Sequence, residues 1–126
     1  MIIADSDVLI DFLRGREPAS RRIAVELEHD LATTAVTAFE LLSGARGGRN
    51  LAKVEQLLEA LRILPVDEHA AGAAAKIRIE LERRGAGLAM ADYLIAGVCL
   101  AHSAVLLTRN RGHFERVPGL TLGLVA

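Results

Sequence analysis

A chain of 126 residues is about one domain long and can bury roughly two thirds of its unfolded surface. Its hydrophobic fraction of 52% is mostly aliphatic, with 3% aromatics and no Trp, which favours an aliphatic helical or α/β core and argues against a binder that stacks bases on aromatic platforms. Fifteen basic and sixteen acidic residues leave a net charge of -1, so no global basic field marks a nucleic-acid binder, although a metal site or a local Arg cluster can still hold phosphate.

Ile2 to Ala4 reads as a short buried strand that stops at Asp5-Ser6-Asp7. Ser6 to Arg14 follows as a helix with Val8, Leu9, Phe12 and Leu13 on one broad face, closed by Gly15. Pro18 to Glu28 is a second helix, with Pro18 in the first turn, where a missing N–H does no harm. Leu31-Ala32-Thr33 is a second strand and Thr34 to Gly44 a third helix. Gly47-Gly48 breaks the chain before an amphipathic helix from Asn50 to Leu61, whose Leu51, Val54, Leu57, Leu58 and Leu61 keep helical spacing.

Ile63 to Val66 is a third strand, interrupted at Pro65. The longest helix runs from its cap Asp67 to Arg84, with Ala70, Ala74, Ile77 and Leu81 facing the core. Ala89 to Ala101 is a buried helix with Asp92 in its first turn. Ala104 to Leu107 has the uncharged, apolar character of a central parallel strand. Thr108 to His113 is a polar loop, Phe114 to Val117 one helical turn, and Leu120 to Val125 a last short strand. Strands alternating with helices predict one α/β domain over residues 1–126 with a mostly parallel sheet flanked by helices.

Cys99 is the single cysteine and lies in an apolar run, which fits a reducing, cytoplasmic setting and a core thiol with no catalytic task. The N-terminus lacks a basic region and long apolar core, so no signal peptide is expected. The longest uncharged stretch, Tyr93 to Thr108, falls short of the ~20 residues a spanning helix needs, so no membrane association is expected.

Three acids stand among apolar neighbours: Asp5 after Ile2-Ile3-Ala4, Glu40 within Ala38-Phe39-Glu40-Leu41-Leu42, and Asp92 within Met90-Ala91-Asp92-Tyr93-Leu94. An ionised carboxylate buried without a partner is costly, and no Lys or Arg stands within four residues of Glu40 or within a helical turn of Asp92. A carboxylate where a buried strand ends occupies the edge that open α/β sheets use for ligands. Asp and Ser are also favoured helix N-caps, so Asp5-Ser6-Asp7 reads equally well as the start of a helix. Three such acids in one small chain tilt the balance towards a hard divalent cation.

The chain resembles PIN-domain proteins of the VapC toxin family. The resemblance is carried by Ile3-Ala-Asp5-Ser-Asp7-Val-Leu-Ile-Asp11-Phe-Leu, Thr37-Ala-Phe-Glu40-Leu-Leu-Ser-Gly44, Leu88-Ala-Met-Ala-Asp92-Tyr-Leu-Ile-Ala96 and Leu107-Thr-Arg-Asn110-Arg-Gly-His113-Phe114, in that order over nearly the whole length. It implies a PIN-like fold and an endoribonuclease dependent on Mg²⁺ or Mn²⁺ that cuts structured RNA such as tRNA or rRNA. Asp5, Glu40 and Asp92 would hold the metal. It also implies a small VapB-like antitoxin that covers the site with an Arg-bearing arm, and a homodimer or toxin–antitoxin hetero-oligomer.

One position departs from the pattern. A fourth acid of many PIN domains is Asn110 here, which brings no charge and favours one metal over two. Asp7 could supply the missing charge, and Thr108 with Asn110 could position water or phosphate. Arg14, Arg109, Arg111 and His113 are candidates for RNA contacts, each also readable as ordinary surface charge. Two rivals remain. Asp5-Ser6-Asp7 also fits the D-x-D of a haloacid-dehalogenase-like phosphatase, though the chain is short for that class. A non-catalytic PIN scaffold or a receiver-like domain is the other, but Lys53 and Lys76 are the only lysines and neither falls at a late strand end, as a receiver requires.

Overall fold

The computed structural model describes residues 1–126. Its elements in chain order are β1 (Ile2–Ala4), α1 (Ser6–Leu13), α2 (Ala19–Leu27), β2 (Ala32–Thr34), α3 (Ala35–Gly44), α4 (Gly47–Glu59), β3 (Arg62–Leu64), α5 (Glu68–Arg83), α6 (Met90–Ala101), β4 (Val105–Leu107), α7 (Arg111–Phe114) and β5 (Thr121–Leu122). The strands form one five-stranded sheet in the order β3-β2-β1-β4-β5, and every pairing is parallel. All carboxyl ends therefore open on the same edge, with β1 in the middle of it.

Strand alternation divides the core between the two sheet faces. Ile3, Ala32 and Leu106 point to one side, where α5, α6 and α7 bring Ile77, Leu81, Ile95 and Phe114. Ala4, Leu31 and Leu107 point to the other, where α1, α2, α3 and α4 bring Leu9, Ile23, Leu41 and Leu57. Covered on both faces, the inner strands β1, β2 and β4 are almost wholly buried, which is why none carries a charge and β1 and β4 are apolar throughout, while β2 buries the hydroxyls of Thr33 and Thr34 in hydrogen bonds. The edge strand β3 exposes Arg62 and Ile63.

The closest helix pair is α5 and α6. Small residues make it possible: a Cβ on Gly97 would collide with the Ala70 carbonyl oxygen and stand 2.8 Å from the Ala74 Cβ. This contact fixes the start of α6, and with it Asp92, relative to the sheet.

Element boundaries differ from expectation in a few places. Gly47-Gly48, expected to interrupt the chain, form the first turn of α4, where Gly47 takes φ +81. The turn expected at Phe114 to Val117 begins earlier, inside the expected polar loop, because Phe114 is its fully buried anchor at the end rather than the start. The last strand is only Thr121–Leu122; the Gly123 N–H still reaches the Leu106 carbonyl at 2.9 Å, and Leu107 and Val105 side chains fill the space a Cβ would need there. No helix is long and apolar enough to cross a membrane.

Candidate metal centre

Asp5 stands at a strand end and caps a helix at once. Its backbone N–H extends the β1–β4 ladder by donating to the Leu107 carbonyl at 2.9 Å, and its Oδ1 caps α1 by accepting from the Ser6 N–H at 2.7 Å. The side chain is held at the carboxyl edge of the sheet, 7% exposed. Its Oδ2 accepts from the Thr108 hydroxyl at 2.8 Å, across the β1–β4 pairing.

The loop after β4 braces this corner. The Asn110 N–H donates to Thr108 Oγ1 at 3.0 Å, and the Arg109 N–H donates to Asp7 Oδ2 at 2.9 Å. Asn110 also pairs through its side-chain amide with His113 Nδ1 at 2.8 Å, and that ring nitrogen lies 3.5 Å from Asp92 Oδ2. Glu40 comes from α3, whose start is fixed by Thr34 accepting from the Thr37 N–H at 3.0 Å. Asp92 comes from the first turn of α6, which touches α3.

These acids feel one another. Burial, then the Asp7 charge, and more weakly Glu40, push the Asp5 pKa up from 3.8 to about 6, against the hydrogen bonds from Thr108 and Ser6. Burial, then the Asp92 charge, raise Glu40 as well, with Asp7 adding to the rise and the nearby Ser6 hydroxyl opposing it. Elements far apart in sequence thus place four carboxylates in one electrostatic neighbourhood.

No Lys or Arg forms an ion pair with Asp5, Glu40 or Asp92. Glu40 Oε1 is buried and has no hydrogen-bond partner. A buried acceptor left unsatisfied is costly, and a bound cation is one partner that would satisfy it. The all-oxygen donor set of three carboxylates suits a hard divalent ion that keeps several waters. The side chains are not drawn together into a ready set of three ligands. Asp5 and Asp7 lean on Thr108 and Arg109, and Asp92 leans on His113. Ligation would require Asp5 and Asp92 to turn from these partners.

The basic candidates divide. Arg109 Nε sits 2.7 Å from Asp11 Oδ2, with a second contact at 3.3 Å, so its guanidinium serves a buried acid of α1 instead of reaching outward. Arg111 donates to the Gly123 carbonyl at 2.8 Å and ties down the C-terminal segment. His113 belongs to the Asn110–Asp92 network. Arg14 is exposed and free of any acid.

Asp11 is the acid that sequence reasoning passed over. It stands in the apolar run Val8-Leu9-Ile10-Asp11-Phe12-Leu13, but Arg14, three residues on, offers a local partner, so the criterion that singled out Glu40 and Asp92 does not single it out. It is 6% exposed, and its partner Arg109 marks it as a structural acid. Cys99 is buried, with its thiol pushed up to about 12, chiefly by burial, as expected of a packed, inert side chain.

Residues 2–120 match the PIN domain family. Among curated proteins, the chain is similar to the tRNA(fMet)-specific endonuclease VapC of Shigella flexneri, 33% identical over 121 residues that cover 92% of this chain and 91% of the relative. It is 32% identical over 123 residues to ribonuclease VapC19 of Mycobacterium tuberculosis, covering 95% of this chain and 97% of that one. Among solved structures, DNA-bound VapBC from Salmonella typhimurium superposes with a TM-score of 0.88 at 28% identity, over 99% of this chain and 98% of that one.

Proposed function

We propose, from the premise that this chain belongs to the PIN-domain family and within it to the VapC ribonuclease toxins, that it hydrolyses RNA phosphodiesters at a divalent cation held by Asp5, Glu40 and Asp92. The observation that carries the metal assignment is the buried, unpartnered Glu40 Oε1 within a group of acids that no Lys or Arg neutralises.

When bound, Mg²⁺ or Mn²⁺ supplies positive charge beside the scissile phosphate and acidifies water. The chain's own residues set the stage for it. Thr108 fixes the rotamer of Asp5, the strand-end acid whose backbone is locked to both β4 and α1. Asn110 holds Thr108 through its N–H, and through its side chain it holds His113 beside Asp92. Asp7, fixed by the Arg109 N–H, adds negative potential without occupying a ligand's place, and so takes the part that a fourth acid would play. With Asn at position 110 and Asp7 held by the Arg109 N–H, three acids remain as ligands, which favours a single ion.

The phosphatase reading requires Asp7 to be free to protonate a leaving group beside a nucleophilic Asp5. Asp7 Oδ2 is instead held by a backbone N–H, and the family match covers nearly the whole chain. By the same relationship we infer that the protein works in the cytoplasm opposite a VapB-like antitoxin; the Salmonella structure contains such a pair.

The test is cleavage of total RNA with Mg²⁺ or Mn²⁺, against EDTA and against Asp92→Asn. Discrete fragments that vanish under both controls are the expected result, with a loss in the variant of at least about a hundredfold. Cleavage that survives EDTA or the substitution refutes the site.

A further inference from the structure

We propose that the pocket between α1, α3 and α4 seats the RNA backbone next to the scissile position, with Arg14, Arg46 and Lys53 as its phosphate-binding residues. This rests on the nuclease reading and adds to it where the substrate strand lies.

The pocket has a volume of about 510 Å³, and Glu40 forms part of its wall, so it adjoins one of the three acids assigned to the metal. Its floor is aliphatic, from Ile10, Leu13, Leu41 and Val54. Its rim carries Arg14, Arg46 and Lys53, all exposed. None of the three is in an ion pair, a freedom shared with Arg16, Arg21, Arg49, Lys76 and Arg116, whereas the other seven basic side chains each face an acid of the fold. What sets these three apart is that they come from separate stretches of the sequence, the end of α1, the residue before α4 and the middle of α4, and converge on one pocket only in the folded chain.

The electrostatics explain why this placement suits a polyanion. An RNA strand brings one negative charge per nucleotide towards a cluster of carboxylates, and the net charge of -1 supplies no general attraction. Three unneutralised cations adjoining Glu40 give the strand a favourable approach, and the aliphatic floor can receive a sugar or base face. An aliphatic, acidic peptide is the competing occupant. It would use the same floor, and the salt dependence of RNA binding separates the two.

The experiment measures binding in the Asp92→Asn background, so that no cleavage occurs, by fluorescence anisotropy with 3′-fluorescein-labelled bulk tRNA across a salt series. Arg14→Gln/Arg46→Gln/Lys53→Gln should weaken binding at least about tenfold, and lower the slope of log K against log salt by about two to three. Arg46→Gln alone should lower the slope by about one, which keeps the test open if the triple variant folds poorly. Arg83→Gln/Arg84→Gln removes similar charge from the distant α5 and should leave affinity and slope nearly unchanged. Arg14→Lys/Arg46→Lys should retain most of the binding. Unchanged affinity and slope in the triple variant overturn the proposal. So does a loss confined to binding of a co-purified antitoxin, which would assign the pocket to a polypeptide. Absence of metal-dependent cleavage by the wild-type protein would instead overturn the nuclease reading, so the two failures are distinct.

Discussion

Asp5→Asn isolates the energetic burden of the central carboxylate. Burial and the Asp7 charge lift the Asp5 pKa from 3.8 to about 6. A carboxyl with a raised pKa in the folded state binds more protons folded than unfolded between those two values. Its contribution to stability is therefore greatest below pH 3.8 and is lost as pH rises to about 6. A shift of about two units corresponds to roughly 3 kcal/mol, and from about pH 4 to about pH 7.5 some 2 kcal/mol of it is lost. Asp5 is 7% exposed, so solvent screening removes little of this. Asn carries no charge, keeps a carbonyl oxygen for the Ser6 N–H, and can donate from its amide to the Thr108 oxygen. Urea denaturation of both proteins in EDTA should show near-equal stability at about pH 4 and an advantage to the variant of about 2 kcal/mol at about pH 7.5. In thermal melts that advantage is about 5–10 °C. Excess Mn²⁺ should reverse the order, stabilising only the wild type, by about 2.7 kcal/mol at a hundredfold excess over Kd. A stability difference that does not change with pH, or one that favours the wild type more as pH rises in EDTA, refutes the reasoning.

Three further changes test the surrounding structure. Asn110→Asp adds a charge to the loop that holds Thr108 and His113, and should tighten Mn²⁺ binding in a calorimetric titration without abolishing cleavage; unchanged affinity would remove residue 110 from the metal's surroundings. Arg109→Ala leaves Asp11 buried without its cation and should cost about 2–3 kcal/mol in denaturant titrations, against about 1 kcal/mol for Asp11→Asn, which leaves a half-exposed Arg109 free to reach water. Equal costs would contradict that asymmetry. Gly97→Ala forces a methyl group into the Ala70 carbonyl and should destabilise by about 2–3 kcal/mol, read as a lowered melting temperature; a neutral result would mean that α5 and α6 can move apart freely.

What was legible in the sequence follows from how local each signal is. The order of strands and helices could be read because the inner strands carry no charge and the amphipathic helices keep their own period, as in α5 with Ala70, Ala74, Ile77 and Leu81. The candidate metal acids could be picked out because Asp5, Glu40 and Asp92 each break an apolar run. Pairing could not be read. The Arg109–Asp11 contact spans 98 residues, and nothing near Arg109 distinguishes it from Arg14, which stays free. Arg46 and Lys53 look like solvated charge in their own helix, and their kinship with Arg14 exists only after α1 and α4 pack across α3. Element ends slipped by a few residues where tertiary contacts decide them, as when Phe114 plugs the core and draws its turn forward into the polar loop.

The chain's treatment of its acids separates structure from function more sharply than any single contact. Asp11 and Asp5 are about equally buried and six positions apart, on one strand-to-helix unit. The fold neutralises Asp11 with a guanidinium and leaves Asp5 to two neutral donors, Thr108 and Ser6. A cation was within reach: the Arg109 backbone already touches Asp7, one residue from the Thr108 that holds Asp5. Its side chain is nevertheless turned away to Asp11. Paired with Asp11, that guanidinium leaves Asp5 and Glu40 to the burial, and then the neighbouring carboxylate charges, that raise them both. A fold that keeps its nearest cation pointed elsewhere, and leaves a buried Glu40 oxygen without a partner, retains a negative site whose cost a bound cation would offset. On the proposed metal assignment, the burden worked out for Asp5 is the counterpart of metal affinity, and removing it should cost the protein its chemistry.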